Sequence, residues 1–169
     1  MAIKISVFLS APTMINAHQQ EVYDFVCSAL NEENLQPRAL GRSDFPQSDP
    51  TTEVYYLARA CYGGIILGFS QVETIGAIVK RGTPVEKHVE MPIVIPTPWN
   101  QIEAGILIAL RKPLLVFAQA GVSGGVFDQG AFPGFLQVFD PGSMSDVDWE
   151  NMRERIRLWS ADVRKQFRA

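Results

Sequence analysis

Short apolar runs alternate along the chain with stretches whose apolar residues recur at helical spacing. Ile3-Lys4-Ile5-Ser6-Val7-Phe8-Leu9 reads as a buried first strand ended by Ser10-Ala11-Pro12, and Asn16 to Asn34 carries Val22, Phe25, Val26, Ala29 and Leu30 on one helical face. A short strand is expected over Leu35 to Leu40, then a polar loop from Gly41 to Pro46. A helix from Thr51 to Cys61 follows, with Val54, Tyr55, Leu57 and Ala58 inward, then a continuous apolar strand from Gly63 to Phe69. Between Gln71 and Pro98 the pattern breaks at Pro84, Pro92, Pro96 and Pro98, which reads as an insertion or extended loop of about 71–98.

The next helix is announced by its own start. Thr97 can cap it by accepting an early backbone N–H, and Pro98 suits the first helical position, where a donor would be unpaired. Lys112-Pro113 ends it, and Leu114 to Ala118 forms the next buried strand. A glycine-rich loop from Gly121 to Gly130, a short strand near Phe135 to Phe139 and a C-terminal helix complete the chain. In that helix the basic residues from Arg153 to Arg168 are interspersed with Ile156, Trp159, Val163 and Phe167, the pattern of a docked amphipathic helix. Uninterrupted apolar strands alternating with helices predict one α/β domain over 1–169, a flavodoxin-like three-layer sandwich with a parallel sheet of about five strands.

Glu103 interrupts this pattern. It stands in the second turn of a helix whose continuation, Ala104-Gly105-Ile106-Leu107-Ile108-Ala109-Leu110, is core-like, and Trp99 four residues earlier shares its face. The helix start favours the ionised acid and burial beside an indole opposes it, so the sequence leaves the sign of its pKa shift open. It reads either as a shielded catalytic acid or as a helix carboxylate paired with a cation. In open parallel sheets, ligands bind beyond the carboxyl ends of the strands, where the strand order reverses. That rule gathers Phe8, Ser10, Asp44, Phe45, Trp99 and Asp128 into one expected crevice. Ser10 reads as a ligand contact or a cap, and Gly124-Gly125 as a phosphate approach or a plain turn. His18 and His88 have no partner pattern.

Composition narrows the class. With 169 residues, 47% hydrophobic and 20% charged, the chain is long enough to bury about 70% of its unfolded surface in one core. A net charge of −3 and no basic run argue against nucleic acid as a partner. Cys27 and Cys61 lack metal-type spacing and read as buried free thiols, so no metal is expected. Met1 to Leu9 alternates like a strand rather than a signal peptide, and the longest apolar run is far short of the ~20 residues a membrane span needs, so a cytoplasmic protein without a membrane partner is expected.

Several motifs carry a family resemblance. Phe8-Leu9-Ser10-Ala11-Pro12, Glu103-Ala104-Gly105 with Leu110-Arg111-Lys112-Pro113-Leu114-Leu115-Val116, and Gly124-Gly125-Val126-Phe127-Asp128 resemble the nucleoside 2-deoxyribosyltransferase-like superfamily. Trp99 to Glu103 is similar to the WxxxE motif of bacterial TIR domains. The resemblance implies that Glu103 acts on an N-glycosidic bond. Deoxyribosyltransferases also carry a base-recognising Asp after the third strand, where Leu67-Gly68-Phe69-Ser70 offers none. The TIR-like alternative requires one Glu, because nicotinamide is a cationic leaving group in NAD. This leading reading implies NAD as substrate rather than cofactor, release of nicotinamide with cyclic ADP-ribose as one product in a Thoeris-type antiphage system, a downstream effector, and a homo-oligomer whose subunits complete each other's sites. Nucleoside deoxyribosyl transfer, nucleotide N-glycosidase activity and a non-catalytic nucleotide-sensing or TIR-type interaction module are the alternatives.

Overall fold

The structure, a computed structural model, describes residues 4–45 and 47–169; Ile3 and Pro46, placed above in the first strand and the polar loop, lie outside the described residues. In chain order the elements are β1 (Ile5–Ser10), α1 (Ala17–Glu32), β2 (Leu35–Arg38), α2 (Pro50–Ala60), β3 (Gly64–Gly68), β4 (Val72–Glu73), β5 (Ala77–Val79), β6 (Lys87–Val89), β7 (Val94–Ile95), α3 (Pro98–Ala109), β8 (Leu114–Gln119), β9 (Gly134–Phe139) and α4 (Asp146–Arg168). A 3-10 turn, Gly125–Phe127, precedes β9.

Five strands form the central sheet in the order β2-β1-β3-β8-β9, and every neighbouring pair is parallel. The strand alternation divides the core in two. Val7, Leu9, Ile65, Leu67, Leu115 and Phe117 face α1 and α4, where they meet Val22, Val26, Leu30, Met152, Ile156 and Trp159. Phe8, Ile66, Leu114 and Val116 face the other way, onto Val54, Leu57 and Ala58 of α2 and Ala104 and Leu107 of α3. The sheet is therefore covered on both faces, which is why β3 and β8 up to Ala118 are apolar without a polar alternate.

Each helix begins on a side-chain cap. Asn16 and Gln19 form a reciprocal capping box at α1, Asp49 accepts from Thr52 N at α2, Thr97 accepts from Trp99 N at α3, and Ser145 pairs with Asp148 at α4. α3 stops at Ala109, before the expected Lys112-Pro113 signal. Arg111 takes a left-handed φ of 53°, and Lys112 N donates back to Leu107 O, closing the last turn early. On α2, Val54, Leu57 and Ala58 are buried but Tyr55 is exposed, because it sits off the stripe they define. Cys61 is buried and Cys27 only half-buried.

Residues 71–98, the expected insertion or extended loop, carry two short antiparallel ribbons. β4 pairs antiparallel with β7, and β5 with β6, so two short ribbons carry the chain out from β3 and back to the start of α3. Among the described residues no helix is long and apolar enough to cross a membrane.

Leu107 ties α3 to the sheet: a Cβ on Gly64 would stand 2.4 Å from Leu107 Cδ1, so the absent side chain on β3 is what lets the leucine in. Leu107→Ala is expected to lower unfolding free energy by about 2–5 kcal/mol through lost burial and the cavity left behind. Urea denaturation should show this as a lower midpoint at unchanged slope.

Candidate active site

The sheet order places the reversal of chain direction at β1 and β3, and a cleft opens beyond their carboxyl ends. Its volume is roughly 480 Å³, and its walls come from the loop after β1 (Ala11, Pro12, Thr13, Met14), Leu40 and Gly41 after β2, Pro50, Gln71, and Thr97, Trp99 and Glu103 of the α3 start. Arg42 braces one wall from behind: its guanidinium donates to Pro12 O at 2.8 Å and lies over the Tyr23 ring at 4.2 Å.

Glu103 reaches this cleft because Thr97 and Pro98 set where α3 begins, and one further turn carries its side chain to the sheet edge. It is 8% exposed, and no cation forms an ion pair with it among the described residues. Burial is the dominant influence and pushes its pKa up from 4.5 to about 7, with a hydrogen bond from Ser10 pulling part of the way back. The balance left open by the sequence falls on the side of burial, which raises the pKa.

Ser10 follows from strand geometry. Phe8 and Ser10 are two apart on β1 and point to the same face, toward α2 and α3. Ser10 stands at the end of the strand, against Asn100, whose Nδ2 donates to Ser10 Oγ at 2.7 Å; both residues are buried. Phe8 is one pleat deeper and fully buried in the core between the sheet and α2, so it does not line the cleft. Trp99 does, 38% exposed as a residue at the mouth beside Glu103.

Three further residues expected in the crevice lie elsewhere. Asp44 forms a bidentate pair with Arg38 and accepts from Ser43 Oγ, and the arginine beside it holds its carboxyl below the usual carboxylate range. Asp44 and Phe45 border a smaller depression of roughly 270 Å³ with Tyr56 and Leu57, separated from the cleft by Leu40. Asp128 caps the glycine-rich turn, accepting from Gly124 N at 2.8 Å. That turn is clamped onto α3 by Gln101, whose Nε2 donates to Gly124 O and whose Oε1 accepts from Val126 N. Gly124 and Gly125 have φ of 95° and 60°, and a Cβ on Gly125 would strike Gln101, so the glycines serve a left-handed turn packed against the helix.

The sequence reading missed Asn100, Gln71 and Met14. Asn100 left a detectable signal, an amide three residues before Glu103 on the same face of an apolar helix. Gln71 and Met14 left none, because only the ribbons and the loop after β1 bring them to the cleft.

No family model and no curated protein matches the chain. Among solved structures it is similar to the Clostridium botulinum CMP N-glycosidase BcmB, with 12% identity and a TM-score of 0.54 over 91% of this chain and 98% of that one. The flavodiiron core of Flv1 from Synechocystis sp. PCC6803 is also similar, with 13% identity and a TM-score of 0.51 over 97% of this chain but 37% of that one. What is shared at such identities is the fold, a parallel five-stranded sheet between two layers of helices.

The raised pKa makes Glu103 a stability switch. The native state holds this proton more tightly than the unfolded chain, so the contribution is full below about 4.5 and is lost as pH rises through about 7. Between pH 5 and 8 the wild type is expected to lose about 2.5 kcal/mol relative to Glu103→Gln. Guanidinium midpoints of both proteins at the two pH values check this; a pH-independent difference would mean that the carboxyl is not shielded.

Proposed function

We propose that the chain cleaves the N-glycosidic bond of a nucleotide at Glu103, with the nicotinamide–ribose bond of NAD as the preferred substrate. The observation that carries the reading is a single buried carboxyl, free of any ion-pair partner among the described residues, facing an open cleft at the switch point of the sheet. In the proposed step the C1′–N bond breaks and its electron pair leaves with the nicotinamide, which departs neutral. The sugar becomes oxocarbenium-like, and the ionised Glu103 stabilises its positive charge in a water-poor setting. A water oxygen then bonds to C1′ and releases a proton. Capture of C1′ by the adenine end instead of water would give cyclic ADP-ribose.

One acid favours NAD among nucleotides. A neutral pyrimidine or purine must be protonated as it leaves, and Glu103 is the sole carboxylate lining the cleft among the described residues. A cationic pyridinium needs no proton. The similarity in fold to a CMP N-glycosidase of nearly the same length supports a second reading, cleavage of a pyrimidine nucleoside monophosphate. There Glu103 would serve in its protonated form.

The two readings have opposite pH dependence. For NAD, kcat/KM is expected to rise through about pH 7 and level off above it; for a nucleoside monophosphate with Glu103 as acid, it should fall through the same region. Chromatography of products from NAD, CMP and deoxynucleosides over pH 5 to 9 decides between them. In either case Glu103→Gln is expected to lose at least about a hundredfold in rate while remaining folded. A well-folded Gln variant with full activity would remove Glu103 from the chemistry, and no turnover of any of these substrates by the wild type would leave a nucleotide-binding module.

A further inference from the structure

We propose that Asn100 is a positioning residue for Glu103 that acts through Ser10: its amide holds the serine hydroxyl so that the hydroxyl hydrogen is presented to the carboxylate. The role rests on the reading of Glu103 as the reactive group. Three buried side chains from two elements form the arrangement. Asn100 and Glu103 are three residues apart on α3 and share a face, and Ser10, the last residue of β1, points at that face from the sheet. Asn100 Nδ2 donates to Ser10 Oγ at 2.7 Å, in a contact that joins residues 90 positions apart.

A serine hydroxyl has one hydrogen and accepts through its lone pairs. Once Asn100 occupies a lone pair, the hydrogen is free to turn to Glu103, the buried carboxyl three residues further along the same face of α3. A chain of donors ending on a charge polarises each member and strengthens the last bond. Asn100 is not explained as core filler. It is completely buried, its Oδ1 has no partner among the described residues, and only the bond from Nδ2 offsets the cost of burying the amide.

The charged and titratable groups around Glu103 do not account for its behaviour. α3 carries no other, and β1, β3 and β8 carry none. α2 brings Glu53, Tyr55, Tyr56 and Arg59, and the 3-10 turn is followed by Asp128; none of these acts on Glu103 as strongly as burial and Ser10.

The test is a double-mutant cycle read by the titration of the Glu103 carboxyl carbon by NMR in ligand-free protein, in parallel with the pH profile of kcat/KM on NAD. Ser10→Ala is expected to raise the Glu103 midpoint by about one pH unit, the equivalent of losing one hydrogen bond to a charge. Ser10→Thr, which keeps the hydroxyl, should restore the wild-type value. Asn100→Ala is expected to raise it by about half a unit when Ser10 is present and not at all in the Ser10→Ala background. Should Asn100→Ala not fold, Asn100→Leu, which fills the space without a donor, takes its place in the cycle. An Asn100 effect equal in both backgrounds, a midpoint that does not move, or one that falls would each overturn the relay. Coupled titration shifts in a protein that turns over no N-glycoside would instead remove the proposed function and leave the relay standing, and turnover with uncoupled shifts would do the reverse.

Discussion

A carboxyl group kept almost entirely out of water at the end of β1, where Ser10 and Asn100 are buried with it, constrains everything around the cleft. A buried unpaired acid is tolerated only when it can take up a proton or when fixed dipoles face it. Here both conditions arise from secondary structure. The cap at Thr97 and the proline after it fix the first turn of α3, so Glu103 arrives at the sheet edge. The two-residue period of β1 puts Phe8 in the core and Ser10 beside the acid. Moving either element by one residue would separate the hydroxyl from the carboxyl.

The loops that complete the cleft are held by polar contacts rather than by apolar packing alone. Gln19, buried near the start of α1, donates to Ser70 O at 3.1 Å and to Gln119 Oε1 at 2.9 Å, and Ser70 N donates to the same Gln119 oxygen. That network joins the carboxyl ends of β3 and β8. Arg42 braces the loop after β1, and Gln101 clamps the glycine-rich turn to α3. Asp44 and Asp128 belong to the same class of contact: their charges are spent on Arg38 and on a backbone N–H, so these acids order loops around the cleft.

The fold by itself does not choose a reaction. A similar sheet occurs in a CMP N-glycosidase and in a flavodiiron core, and the crevice at the switch point is common to the architecture. The choice rests on what lines the crevice. A lone acid with a pKa near neutrality suits a reaction that builds positive charge on a sugar, and the same shift destabilises the protein as pH rises. The stability cost and the proposed chemistry therefore have one origin, the exclusion of water from Glu103.

The sequence by itself determined the fold class and the main elements, but not the four short strands between Gln71 and Pro98. Uninterrupted apolar strands require cover on both faces, so a parallel sheet followed from Val7 to Leu9, Gly64 to Gly68 and Leu114 to Ala118, and the Thr97-Pro98 start placed Glu103 on its helix. Those signals are local, carried by periodicity and caps within a few residues. Tertiary structure decided which candidates meet. The switch-point rule names segments but not pleats or partners, so it could not separate Ser10 from Phe8 or see that Asp44 would find Arg38. Nor could it reveal Asn100 against Ser10, a contact made only when the fold closes 90 residues of intervening chain. The sign of the shift at Glu103 was settled the same way, because desolvation depends on how much of the rest of the chain packs over a side chain.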